Sequence, residues 1–261
     1  MKEYRYFVRN EELEEALFDM ELTVIEDDFK NEETVFIVYS EADISSVFND
    51  FAMEFTVKDV SETGWEDKWK EFLQPGWLTD NVFYCFDTET SAPHGRVVRI
   101  IPALAFGTGT HATTQAAARL LEGVAEGRTV ADVGCGSAIL AITASVCGAE
   151  KVYAFDIDDL AMGNARENIE LNGCTNISSW TGGIESLKEH ADVIAANIIT
   201  KVLKSIHDDV KARRPEYIVY SGILQEEYEE FMSSIDTDGY TVDASAEVKE
   251  WKGVRLKRCS A

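Results

Sequence analysis

The sequence has no long hydrophobic run. Among its 261 residues, no apolar stretch approaches the ~20 needed to span a bilayer, so no membrane segment is expected. The opening MKEYRYFVRNEELEEAL lacks an apolar core and turns acidic at once. It does not read as a secretory signal, and a cytoplasmic location is expected. The five cysteines, Cys85, Cys135, Cys147, Cys174 and Cys259, are odd in number and form no C-x-x-C pair. That argues against a disulfide framework and against a zinc site; Cys135 reads as a small packing residue. The four histidines are scattered, none at metal-ligand spacing, and no His–Asp or His–Glu pair stands out as a general base. Basic residues are scarce, 24 Lys and Arg against 48 Asp and Glu, for a net charge of −24. A phosphate-contacting surface needs clustered Lys and Arg, so direct nucleic-acid binding is disfavoured. There is no internal repeat or low-complexity tract.

Acid is concentrated at the front. Residues 1–64 hold 18 Asp and Glu against 5 Lys and Arg, a balance that suits a basic partner or a solvated surface. The same region reads β-α-β-β-α-β. Tyr4–Val8 is strand-like, and Glu11–Met20 has helical spacing with Leu13, Ala16, Leu17 and Met20 on one face. Leu22–Glu26 and Thr34–Ser40 are strand-like, Ile44–Phe51 is helical, and Phe55–Val60 is a strand. This order predicts a small ferredoxin-like α+β domain over 1–62. In GWEDKWKEFLQPG, Trp65, Trp69, Phe72 and Leu73 fall on one helical face that Pro75-Gly76 ends. It is read as a linker helix within 63–80.

From 81 to 261 strands alternate with helices. Val82–Phe86 and Arg96–Ile101 read as strands. Phe106-Gly107-Thr108-Gly109-Thr110-His111 is a small, hydroxyl-rich loop, and Thr113-Thr114 open a helix as residues of N-cap type. A helix start directs N–H groups outward and favours a carboxylate. Val130–Asp158 is the most informative stretch: a strand (Thr129–Val133), a glycine turn, a helix (Ala138–Val146), and a strand (Lys151–Phe155) ending on acids. Gly134 and Gly136 permit close backbone approach to a ligand. Asp156, about twenty residues past the loop, can accept hydrogen bonds from ribose hydroxyls. G-x-G-x-x-G is incomplete, because Ile139 occupies the third glycine position. Pyrophosphate therefore loses support, and S-adenosylmethionine, with ribose and adenine but no phosphate, fits better.

Leu160–Leu171 reads as a helix closed by Asn172-Gly173, followed by strands Ile177–Thr181 and Asp192–Ala196. A further helix, the strand Tyr217–Tyr220, a helix from about Gln225 and a closing hairpin complete a mostly parallel sheet with an antiparallel edge. Asn197 stands at the carboxyl end of a central strand, where open α/β sheets bind ligands. Its side-chain carbonyl can accept a hydrogen bond from a substrate N–H and hold the nitrogen lone pair toward a methylsulfonium.

The segments PALAFGTGTHATTQ, DVGCGSAILAI, DIDDLAMGNARENIELNG, DVIAANII and SGIL, in this order, closely resemble the ribosomal protein L11 methyltransferase family. The resemblance runs from Trp65 to EWKGVRL; the acidic first domain is similar to that family's substrate-recognition domain, although shorter. It implies a seven-stranded Rossmann-like domain over 81–261 and an S-adenosylmethionine-dependent protein N-methyltransferase acting on lysines and α-amino groups of a basic ribosomal protein, L11. By motif, Phe106 and Thr114 would contact the cofactor, Gly134 and Gly136 would line it, Asp156 would bind the ribose, and Asn197 would sit near both cofactor and amine. A small domain on a mobile linker is implied; a monomer is expected. Alternatives are the same chemistry on another protein, or a small-molecule or RNA methyltransferase. Three positions depart from the family: Ile101-Pro102-Ala103 for Asp-Pro-Gly, Ala112 for Pro, and Ala138 for the third glycine of G-C-G-S-G.

Overall fold

The computed structural model describes residues 2–20, 22, 24–27, 35–40, 42–59, 74–102 and 109–259. The chain divides into two compact units, Met1–Phe72 and Leu73–Ala261.

The first unit runs β1 (Lys2–Tyr6), α1 (Glu11–Asp19), β2 (Val24–Asp27), β3 (Val35–Ser40), α2 (Ser45–Asp50) and β4 (Phe55–Asp59). The strands pair antiparallel in the order β2-β3-β1-β4, which is the ferredoxin-like arrangement. Alternation on β1 sends Tyr4 and Tyr6 inward. They meet Phe36 and Val38 of β3, Leu13 and Leu17 of α1, and Phe48 of α2. Tyr4 stacks on Phe48 at 5.4 Å between centroids. Its hydroxyl accepts from the Ile44 N–H (3.1 Å) and donates to Asp43 (3.1 Å), so the buried phenol loses no partner. Met20, expected on the apolar face of α1, is 45% exposed; the helix ends at Asp19, one residue short of carrying it inward.

The expected helix through Trp65–Leu73 lies outside the described residues. After it, β5 (Gly76–Trp77), β6 (Val82–Cys85) and β7 (Arg96–Arg99) form a small sheet. The main sheet follows from α3 (Ala112–Ala125), β8 (Thr129–Val133), α4 (Ile139–Val146), β9 (Lys151–Asp156), α5 (Asp159–Leu171), β10 (Ile177–Thr181), β11 (Val193–Asn197), α6 (Thr200–Ala212), β12 (Tyr217–Leu224), α7 (Tyr228–Ser234), β13 (Tyr240–Val248) and β14 (Trp251–Arg258). Its order is β10-β9-β8-β11-β12-β14-β13. The strands from β10 to β12 are parallel, and β14 and β13 add antiparallel.

Period-two burial gives this sheet two cores. Val130, Val152, Ala154, Val193, Ala195 and Val219 face the side covered by α3, α4 and α5. Ala131, Val133, Phe155, Ile194, Ala196 and Ile218 face the side covered by α6 and α7. Buried on both faces, the parallel strands read as near-continuous apolar runs. Chain order reverses between β8 and β11, which leaves a crevice at their carboxyl ends.

Candidate functional site

Register places the site. Val133 of β8 pairs with Phe155 of β9 and with Ala196 of β11. One residue further on, Gly134, Asp156 and Asn197 therefore stand side by side on three adjacent strands. Asn197 also pairs with Ser221 of β12. Three residues singled out from separate parts of the sequence share one edge.

The glycine loop is held by its own backbone. The N–H groups of Gly134 and Cys135 both donate to the Phe155 carbonyl, at 2.9 and 3.1 Å. Gly134 (φ +67°) leaves no room for a side chain, because a Cβ there would lie 2.6 Å from Ile198 Cγ2. Asp156 closes the loop on the other side. Its carboxylate accepts from the Gly136 N–H (2.9 Å) and the Asp158 N–H (3.1 Å), which fixes its orientation and leaves lone pairs on both oxygens. Asp158 caps α5 through the Leu160 N–H, and Ile157 and Leu160 are 80% and 87% exposed beside it.

Thr114 is fully buried in the first turn of α3. The helix is capped by His111, where Thr113-Thr114 are the expected cap-type residues. The His111 ring accepts from the Thr113 N–H, and the His111 carbonyl accepts from the Thr114 N–H. Those two N–H groups are thus used within the helix, and Thr114 faces the site with its hydroxyl. Asn197 Nδ2 donates to Thr114 Oγ1 at 3.3 Å. This bond turns the carboxamide so that Oδ1 is its free end. Among the described residues that oxygen is buried with no hydrogen-bond partner. A buried carbonyl without a donor is costly, so the position suits an incoming N–H. Phe106 lies outside the described residues.

Ser221, Asp132, Asn164 and Asn168, all close to these elements, were not singled out in the sequence. Ser221 Oγ, fully buried, donates to the Thr113 carbonyl at 2.8 Å and so ties the start of α3 to β12. Asp132 lies beneath the glycine loop and accepts from the Ala141 N–H at 2.9 Å. Burial, opposed by that bond and aided by the charge of Asp156, pushes its carboxyl up to about 7. Asn164, Asn168 and Asn172 bind backbone from the face of α5; their i, i+4, i+8 spacing was visible in the sequence. Cys135 is buried against Met162, and burial raises its thiol well above the ordinary value. It packs rather than reacts. Among the described residues no group of three or more His, Cys, Asp or Glu could hold a metal, and no helix is long and apolar enough to cross a membrane.

A parallel sheet closed by an antiparallel pair, with a glycine loop after the central strand and a carboxylate, Asp156, at the end of the next, defines a seven-stranded Rossmann-like methyltransferase domain. The chain matches the family described as ribosomal protein L11 methyltransferase (PrmA) over residues 2–259 and belongs to that family. It is 34% identical over 209 residues to the ribosomal protein L11 methyltransferase of Streptococcus pyogenes serotype M49 (strain NZ131), a match spanning 77% of this chain and 66% of that protein. The serotype M6 relative is 33% identical over 208 residues, with the same shares. The chain thus spans just under two thirds of the length of these relatives. Among solved structures it is similar to a ribosomal protein L11 methylase from Lactobacillus delbrueckii subsp. bulgaricus, with a TM-score of 0.65 and 29% identity, covering 71% of this chain and 99% of that one.

Proposed function

We propose that this chain is an S-adenosylmethionine-dependent methyltransferase that N-methylates lysine or N-terminal α-amino groups of ribosomal protein L11. The observation that carries the reading is the buried, unpartnered Oδ1 of Asn197, oriented by Thr114. The residues present suit this cofactor. Asp156 offers a fixed carboxylate for the ribose hydroxyls, and Gly134 and Gly136, both at positive φ, keep the loop beside it free of side chains. Ile157 and Leu160 offer apolar surface beside Asp156 for a base.

When bound, S-adenosylmethionine would supply an electrophilic methyl group, whose carbon–sulfur bond would break toward a neutral thioether as the amine nitrogen bonds to that carbon. Asn197 Oδ1 accepts one N–H of the amine and so sets the direction of its lone pair. Positioning of this kind can supply a large part of the rate. The nucleophile must be neutral. A lysine with a pKa near ~10.4 needs about 4–5 kcal/mol for deprotonation at neutral pH, and an α-amino group near ~8 about 1 kcal/mol. The proton leaves to water. The acidic first unit is proposed to bind the basic substrate, and residues 63–80 to link it to a methyltransferase domain at 81–261.

Methyl-labelled S-adenosylmethionine, supplied with purified L11 and separately with cell extract, tests the reading. Label in L11, and in a single protein of its size in the extract, is expected. Label in RNA with none in protein would overturn the substrate class. Label in a different protein would keep the chemistry and change the acceptor.

A further inference from the structure

Asn164 and Asn168 of α5 and Asn172, the residue that caps its C-terminus, form a ladder along the chain that leaves β7. Asn172 accepts from the Arg99 N–H (2.8 Å) and donates to the Arg99 carbonyl (2.7 Å). One turn earlier the pattern repeats at Ile101. Asn168 Oδ1 accepts its N–H at 2.7 Å, and Asn164 Nδ2 donates to its carbonyl at 3.1 Å. The match is geometric: four helical residues rise about 6 Å, close to the ~6.6 Å of two strand residues. Helix side chains thus stand in for a neighbouring strand.

Asn168 does something its neighbours do not. It is fully buried, and its Nδ2 also donates to the carbonyl of Ser137 in the glycine loop, at 3.0 Å. A second bond from Nδ2 reaches Asn164 Oδ1 at 3.3 Å. One carboxamide therefore joins the glycine loop to Ile101-Pro102, the residues that lead in sequence to Phe106 and Thr114.

We propose that Asn168 is a positioning residue for the cofactor site, holding the glycine loop in register with the segment that enters the Phe106–Thr114 loop. The proposal rests on the S-adenosylmethionine reading and adds a residue to its machinery. Asn172 is the internal control, since it ties the same helix to the same segment without touching the glycine loop.

The test is calorimetric titration of the full chain with S-adenosylhomocysteine, alongside thermal melts. Asn168→Ala is expected to weaken binding about tenfold or more, and Asn172→Ala to stay within about twofold, although both lower the melting temperature. Asn168→Asp keeps the acceptor for the Ile101 N–H, loses the amide donor to Ser137, and preserves size. It is expected to weaken binding as well, and it carries the test should the alanine variant not fold. Equal losses of affinity in Asn168→Ala and Asn172→Ala would reduce the residue to a structural tie and overturn the proposal. So would unchanged affinity in Asn168→Asp. Wild-type protein that binds no S-adenosylhomocysteine would overturn the cofactor reading itself, a failure seen without any variant.

Discussion

Ala138 adopts φ 64° and ψ 19°, the left-handed region, as the cap of α4, where the family pattern has glycine. An L-residue in this region is disfavoured by ~1–2 kcal/mol, so glycine would relieve strain. Against that stand the loss of a fully buried methyl, worth ~0.8 kcal/mol, and the greater freedom of glycine in the unfolded chain, ~0.4–1 kcal/mol. The opposing effects nearly cancel. Urea unfolding should therefore place Ala138→Gly within about 1 kcal/mol of wild type. Ala138→Val should be destabilised by several kcal/mol, since a β-branched residue adds its own strain and overpacks the core. A second residue-scale prediction concerns Asn197. Removing its carboxamide leaves Gly134, Gly136 and Asp156 in place, so Asn197→Ala should lose about a hundredfold in turnover while S-adenosylhomocysteine affinity changes less than about threefold, as steady-state kinetics and calorimetry would show. Equal losses in both would place Asn197 in cofactor binding alone. The positions of Asp156 and Asn197 on one sheet edge were legible in the sequence because each ends an apolar strand, and a strand's carboxyl end fixes where its next side chain stands. The His111 cap was not, because Thr113-Thr114 satisfy the usual cap preference and an imidazole acceptor carries no such signature.

At the scale of elements, strand and helix order was readable from β6 onward, because burial on both sheet faces makes β8, β9 and β11 continuous apolar runs; β5 (Gly76–Trp77), only two residues long, was read as part of the linker. The extent of β12 was not. Tyr217–Tyr220 reads as a strand, but the strand runs to Leu224 across a register shift between Tyr220 and Ile223. Ser221-Gly222 sits in that irregularity, and a polar residue followed by glycine looks like an end. The bulge has a task. Ser221 reaches the start of α3, and the Gly222 carbonyl accepts from Thr200 Oγ1 at the start of α6 (3.1 Å). A Cβ on Gly222 (φ +92°) would fall 2.3 Å from the Ile198 carbonyl oxygen, one residue past Asn197. Gly222→Ala should then cost about 3 kcal/mol or more and reduce turnover, because the Ile198 backbone must move. Gly127 also has positive φ (+68°), but a Cβ there meets nothing within 4 Å. Gly127→Ala should cost only about 1 kcal/mol in conformational strain and leave turnover intact. Similar losses in both would make backbone conformation, not the clash, the operative factor. The asparagine ladder of α5 escaped the sequence reading for a related reason. Polar residues at i, i+4, i+8 look like a solvated face until a strand's backbone is known to lie against them.

For the whole molecule, charge and protonation set the conditions for function and stability. With 18 acidic against 5 basic residues in 1–64, attraction of a basic substrate should be screened by salt. Raising ionic strength from about 0.05 to 0.5 M should raise the KM for the protein substrate several-fold and leave the KM for S-adenosylmethionine nearly unchanged. An equal rise in both would assign the effect elsewhere. Global stability carries a separate signature from Asp132, whose carboxyl lies near 7 in the folded chain against an ordinary 3.8. Between these values the unfolded chain has released the proton while the folded chain retains it. The folded state then binds more protons, and stability falls as pH rises across that window, by at most ~1.4 kcal/mol per pH unit. Other carboxylates act in the opposite direction, as Asp87 and Asp236 do through hydrogen bonds that lower them, so the raw pH profile mixes both signs. A difference measurement isolates Asp132. Asn at this position still accepts from the Ala141 N–H but does not titrate, and the remaining carboxylates are common to both proteins. The stability of Asp132→Asn relative to wild type should therefore grow from about pH 4 to pH 7, by as much as ~4 kcal/mol, and level off above. A difference flat with pH would show that Asp132 keeps an ordinary carboxylate affinity beneath the glycine loop, with solvent or a bound cation reaching it there.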